Sequence, residues 1–385
     1  MAYLSTTDFI EDKDFLDKWR YTMRTGELDL SWMNEDRPVE ACTPKQPRRG
    51  LTLRDLDVPG YGFTEMPEIA RRNRSFAPRG AEIPAGCPDL QADVNRKSEV
   101  WAYNVEGYYE EAMTRQWNAT TDVPWQEIVS AEIPEDVNRA YAQLLTFLSE
   151  VEMIATDVPA KWLGHLNADF FEVKNFIATQ AMDEARHMEV FRKRALATGH
   201  GLLRASAQNE TNLKFLRDAD GFAEMSLALH LQAEGNVLTL FRFSEYISPT
   251  EADKKMFRLV MQDEARHVGY GMQHLKWVLD HFPEKREIVH KHLDEAENFL
   301  FGAGYATEVT EPFIVLAGKG LTQECIRKGI EITLKFQLQQ IEEYFERLER
   351  CGMPERREKS RLWQIVEMTK AAQAEMAAAA AQPAG

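Results

Sequence analysis

The pentapeptide DEARH stands at residues 183–187, inside FIATQAMDEARHMEVFRKRAL, and returns unchanged at 263–267, inside FRLVMQDEARHVGYGMQHL. Around the first copy Phe170, Val173, Ile177, Glu184, Phe191 and Ala195 recur at helical spacings, with Gln180, His187 and Met188 filling the same stripe. Phe257, Val260, Glu264, His267, Val268, Leu275 and Val278 trace a second stripe around the other copy. Each Glu–His pair therefore faces the interior. An ionised carboxylate in an apolar interior is strongly disfavoured unless it is paired or holds a metal. Glu and His three positions apart share one helix face and can ligate one ion together.

The spacing alone is weak. In a chain with nine histidines, about one Glu-x-x-His pair arises by chance. Glu287 and His290, in EKREIVHKHLDEAE, are such a pair, set among charges and read as a solvated helix face. An identical element 80 residues further on, inward-facing both times, is not explained by chance, and a buried salt-bridge network is the competing account.

A di-metal bundle draws one Glu from each of two helices and one Glu-x-x-His from each of two others, so two further buried glutamates are required. Glu234, in SLALHLQAEGNVLTLFRF, has Leu227, Leu231, Val237, Leu238 and Phe241 on its face and precedes Glu264 by 30 residues. In LLTFLSEVEMIATDVPAKWL, Glu152 has Leu145, Leu148 and Ala155 on its face and precedes Glu184 by 32, whereas Glu150 shares a face with Gln143 and Asp157. Glu152 is preferred, with Glu150 the alternative first ligand. Four carboxylates and two imidazoles suit iron, or a manganese–iron pair, and metals with open positions can bind O2. Asp183, Arg186, Asp263 and Arg266 then surround the ligands: an Asp can accept a histidine's free N–H on the partner helix, and an Arg can pair with that Asp. An ordinary surface ion pair is the alternative for Asp183 with Arg186.

Composition narrows the partners. The net charge of −16 disfavours nucleic acid and anionic membranes. Cys42, Cys87, Cys325 and Cys351 form no C-x-x-C pair, which removes a rubredoxin-type iron site and a structural zinc site. The start, MAYLSTTDFIEDKDF, is acidic, and no apolar run is long enough to span a bilayer, so a cytoplasmic protein is expected.

Turn-formers crowd residues 38–96, so 1–93 are expected to wrap the rest as a long loop region with short helical turns. Helical periodicity follows, predicting helices over 94–117, 134–164, 168–198, 219–247, 249–281, 284–303, 321–349 and 355–374. SPTE at 248–251 reads as a capping box with Pro249 at the first helical position, and TGHG at 198–201 as a glycine stop. These helices divide into a core over 94–305, C-terminal helices over 306–374 that pack on it, and a disordered tail over 375–385.

Two D-E-x-R-H elements, each preceded by a helix with one buried Glu, resemble the ferritin-like carboxylate-bridged diiron enzymes. The likeness is to the hydroxylase subunits of bacterial multicomponent monooxygenases and the soluble acyl-carrier-protein desaturases, and it covers about residues 94–280. It implies an all-α ferritin-like bundle, with a four-helix diiron core, additional long helices and the extended N-terminal region. It also implies a buried pair of iron ions, O2 as co-substrate, an external reductase or ferredoxin, and a homodimer. Glu152, Glu184, His187, Glu234, Glu264 and His267 are the ligands by this resemblance. The expected activity is hydroxylation, desaturation or another oxidation of a small-molecule or carrier-bound organic substrate. Two alternatives stand beside it. A ribonucleotide-reductase small-subunit-like radical generator or ligand-binding oxidase is one, although Phe191 occupies the place of the radical tyrosine four residues after His187. Ferritin- or rubrerythrin-type iron storage or peroxide detoxification is the other. Tyr270 reads as a core residue with a satisfied hydroxyl, with electron transfer as its alternative. Ala155, Thr156, Phe191, Leu238 and Thr239 are expected near the substrate pocket.

Overall fold

In the computed structural model, the described residues run continuously over 85–300 and 306–380, with backbone alone at 299–300 and 372–380. Before residue 85 they include 10–28, 51–56, 66–70 and shorter stretches. The helices are α1 (Lys13–Thr25), α2 (Lys97–Val100), α3 (Val105–Thr114), α4 (Trp125–Ser130), α5 (Glu135–Trp162), α6 (Phe171–Ala197), α7 (Ala207–Arg217) and α8 (Phe222–Ser226). A π-helical segment, Leu227–Ala233, leads into α9 (Glu234–Ile247). Then come α10 (Glu251–His281), α11 (Arg286–Leu300), α12 (Thr307–Gly318), α13 (Gln323–Arg350), α14 (Arg356–Lys359) and α15 (Arg361–Ala380). Two isolated bridges, Ile69 with Arg96 and Val94 with Leu166, are the only β pairings among the described residues. The architecture is a ferritin-like helical bundle.

α5 pairs antiparallel with α6, and α9 with α10, while α6 and α9 run in the same direction; each of the four buries apolar residues on both sides of a charged middle. At one end Leu148, Phe191, Phe241 and Phe257 share an aromatic-rich cluster. At the other, Val158, Ile177, Tyr270 and Val278 belong to a second cluster. The charged middles of the four helices are thereby stacked between two apolar layers.

Local sequence accounts for the ends. α10 starts two residues later than SPTE suggested: Thr250 is the N-cap, its Oγ1 accepts from the Asp253 N–H at 3.0 Å and donates to Asp253 Oδ2 at 2.8 Å. Asp253 also receives buried Arg194 at 2.5 Å, which favours this cap over one at Ser248. Pro249 lies ahead of the cap. α6 ends at TGHG, where Gly199 and Gly201 take φ of 84° and 77°.

The predicted helix over 94–117 is instead α2 and α3. Trp101 and Ala102 turn inward between them, and Asn104 sits in the left-handed region at φ 59°. Four helices were not predicted: α1, α4, α7 and α12. α12 was obscured by Pro312, although Val309, Phe313 and Leu316 give it an apolar stripe. The helical backbone of α15 reaches Ala380, as alanine's high propensity favours; residues 381–385 of the expected tail lie outside the described residues, as does Cys42.

Candidate metal centre

Glu152 (α5), Glu184 and His187 (α6) and Glu264 (α10) each offer a ligand atom within 4.8 Å of the others, and so do Glu184, Glu234, Glu264 and His267. Glu184 and Glu264 belong to both groups. All six residues are at most 3% exposed. Glu150 is only partly buried and belongs to neither group. Of the decoy pair, Glu287 is exposed and bonds Lys359, while His290 turns inward toward Glu355 at 3.2 Å, so this part of the face is less solvated than the sequence suggested.

The imidazoles face inward through Nδ1. His187 Nδ1 lies 3.1 Å from Glu184 and 3.2 Å from Glu264; His267 Nδ1 lies 2.8 Å from Glu184 and 3.5 Å from Glu264. Their Nε2 atoms point across the bundle, that of His187 to Asp263 at 3.1 Å and that of His267 to Asp183 at 3.4 Å. The two aspartates thus exchange partners between the repeated pentapeptides. Arg186 bonds both Asp183 and Asp263, and Arg266 bonds the same two at 2.8 and 2.6 Å. Two positive and two negative groups close on themselves, which leaves the charge of four glutamates for something else to balance.

That imbalance appears in the titration of the groups. Burial first, then the neighbouring Glu184 and Glu264 carboxylates, pushes Glu152 well above the usual carboxylate range. Burial likewise raises Glu234 against the pull of His267. For His187 and His267 burial acts downward, but Glu184 and the facing carboxylates outweigh it and hold both well above an ordinary imidazole. Glu184 moves down between the two imidazoles despite its burial. A site with these tendencies takes up positive charge, and protons compete with metal for it. Glu152 Oε1, Glu184 Oε1, Glu234 Oε2, Glu264 Oε2 and His267 Nδ1 are buried without a hydrogen-bond partner, as a set of metal-ligating atoms would be. Oxygen and imidazole donors in this ratio fit iron or manganese.

Several supporting residues escaped the sequence reading. Trp117, upstream of α4, donates through Nε1 to Asp263 at 2.6 Å, and Gln116 accepts from Arg186 at 2.7 Å; no helical periodicity links either to the site. Gln180, one turn before Glu184, donates to Glu234 at 2.7 Å, and its carbonyl oxygen lies 3.1 Å from His230 Nε2. His230 Nδ1 is 2.9 Å from Ser226 Oγ. A polar residue four positions before Glu184 and before Glu234, inside an apolar stripe, was the available signal for Gln180 and His230. Tyr270 donates to the Val100 carbonyl and stacks on Phe176 at 4.6 Å, a satisfied core residue.

Beside the carboxylates lies a cavity of about 110 Å³. Glu152, Glu234 and Glu264 form part of its wall, and Leu148, Ala155, Leu213, Leu229, Val237 and Leu240 contribute to the rest. Of the residues expected near it, Ala155 lines it. Thr239 instead donates to Glu343 of α13 at 2.6 Å, and Phe191 packs against Phe241 and Phe257. Leu238 and Thr156 are not in the wall.

No family model matches the chain. No curated protein matches it either. Among solved structures it is similar to R2-like ligand-binding oxidases. A mutant with an anaerobically reconstituted Mn/Fe cofactor aligns with a TM-score of 0.51 at 16% identity, over 65% of this chain and 94% of that one. The protein with an aerobically reconstituted metal cofactor after photoconversion gives 0.51 and 16% over the same shares. A mutant with an aerobically reconstituted Fe/Fe cofactor gives 0.50 and 18%, again over 65% and 94%. At these identities the likeness establishes the fold.

Proposed function

We propose that this chain is a non-haem dimetal oxidase that uses O2 to oxidise an organic substrate held in the adjoining cavity. The observation that carries it is the pair of four-residue ligand groups sharing Glu184 and Glu264, buried and rich in unpartnered ligand atoms. Glu152 and His187 would hold one ion, Glu234 and His267 the other, and Glu184 and Glu264 would bridge them. Two iron ions, or manganese with iron as in the similar structures, supply the redox equivalents and O2-binding positions that side chains lack.

The rest is work for the protein's own residues. Asp263 and Asp183 accept the Nε2 protons of His187 and His267, which fixes each ring with Nδ1 free to ligate. Arg186 and Arg266 hold those aspartates in place. Gln180 donates to Glu234 Oε1 and leaves Oε2 buried without a partner. The aliphatic wall excludes water from the reacting centre and sets the substrate against the carboxylates.

The lack of a nucleotide- or flavin-binding fingerprint in the sequence supports a separate reductase or ferredoxin as the electron source, and the resemblance to diiron enzymes supports a homodimer. Monooxygenation or desaturation are the reactions such a site and cavity favour. Anaerobic loading with Fe(II), iron quantification and then oxygen uptake test the proposal. Two iron ions per chain, one for each ligand group, with oxygen consumed on exposure to air are the expected result; a wild-type chain that retains no iron refutes it.

A further inference from the structure

The cavity wall is apolar in its body but carries five amide side chains, Gln208, Asn209, Asn212, Asn236 and Gln340. Among the described residues, no lysine, arginine or histidine lines it. Asn236 is 7% exposed, and its Oδ1 has no hydrogen-bond donor. Gln340 of α13 donates to the Asn236 main-chain carbonyl at 2.9 Å, which anchors the backbone that presents this amide. A buried amide acceptor left unpaired is costly, and a ligand that donates to it removes the cost.

Charge excludes the ionic alternatives. The Asp–Arg quartet is self-neutralising, and two divalent ions just balance the four glutamates, so the centre offers an anion no surplus positive charge. A carboxylate entering this wall would lose its hydration and meet only amides and aliphatic groups. An ammonium group would find its only counter-charges, Glu152, Glu234 and Glu264, already engaged.

Resting on the dimetal reading, we infer that the substrate is uncharged, and that its reacting end is an apolar group of about benzene size bearing, directly or on one further carbon, an O–H or N–H that donates to Asn236 Oδ1. The size follows from the 110 Å³ of space, compared with an engineered apolar cavity of about 150 Å³ that accommodates benzene.

The test is anaerobic titration calorimetry on the full chain loaded with Fe(II), using benzyl alcohol, toluene, benzoate and benzylammonium as probes. Benzyl alcohol is expected to bind about tenfold more tightly than toluene, the effect of one hydrogen bond, and at least about tenfold more tightly than either ion. Asn236→Ala should bring benzyl alcohol to the affinity of toluene with iron content unchanged. If that variant does not fold, the wild-type ranking still decides. Equal binding of alcohol and toluene, an ion that binds as well as the alcohol, or no binding by any probe overturns the inference. With two irons present, such a result leaves the dimetal reading standing; a chain that holds no iron overturns both.

Discussion

Asp183 and Asp263 each join a histidine on one helix to two arginines, and they do so across the two copies of one pentapeptide. Losing the carboxylate charge frees an arginine and weakens the hold on the imidazole. Asp183→Asn and Asp263→Asn are therefore expected to lower metal affinity by about 10- to 100-fold, while Glu150→Gln leaves it unchanged, as competition with a fluorescent chelator would measure. Unchanged affinity in both aspartate variants would show that the cross-helix bonds do not tune the site. At this scale the sequence was informative because the signal was periodic: the inward stripes and the repeated element brought out six residues that the structure places together. The preference for Glu152 over Glu150 rested on its apolar neighbours, and burial of the two separates them in the same sense. Trp117 and Gln116 were invisible because they reach the site from a non-helical connection.

The π-helical segment Leu227–Ala233 places Glu234 at its junction with α9. α10 approaches it so closely that a Cβ on Gly271 would stand 2.4 Å from His230 Cβ. Gly271→Ala must therefore displace the segment that carries Glu234 and His230, at a cost of about 1–3 kcal/mol. A lowered thermal midpoint, together with selective weakening of the metal that Glu234 and His267 would hold, is expected from calorimetry and metal titration. An unaltered midpoint would mean that the segment yields freely. Sequence periodicity read 219–247 as one uninterrupted helix, because a single widened turn shifts the stripe by less than the spread of an apolar face. α7 was missed for a related reason: in AQNETNLKFLR only Leu213 and Leu216 are buried, too few to mark a face.

For the whole molecule, the segment preceding α3 is tied to the bundle through Tyr270 and His274, which bond the carbonyls of Val100 and Trp101. Burial, against a weaker raising effect of the Trp101 carbonyl, pushes His274 down from 6.5 to about 4. The unfolded chain binds this proton more readily than the folded one between those values, so the contribution is intact above pH 6.5 and is lost as pH falls toward 4. The loss amounts to about 3 kcal/mol. His274→Gln should flatten the fall in thermal midpoint over that range; an acid limb identical to wild type would contradict it. The bundle and its charged middle were legible from α5 onward, where long apolar stripes repeat. What the described residues ahead of α3 pack on was not, since turn-formers specify where a chain bends and not what it packs on. The most direct test of the central claim is a crystal structure of the iron-loaded protein with anomalous diffraction at the iron edge. Two peaks per chain, both within coordinating distance of Glu184 and Glu264 and separately completed by Glu152 with His187 and by Glu234 with His267, are the expected result. One peak, or none between α6 and α10, would contradict it.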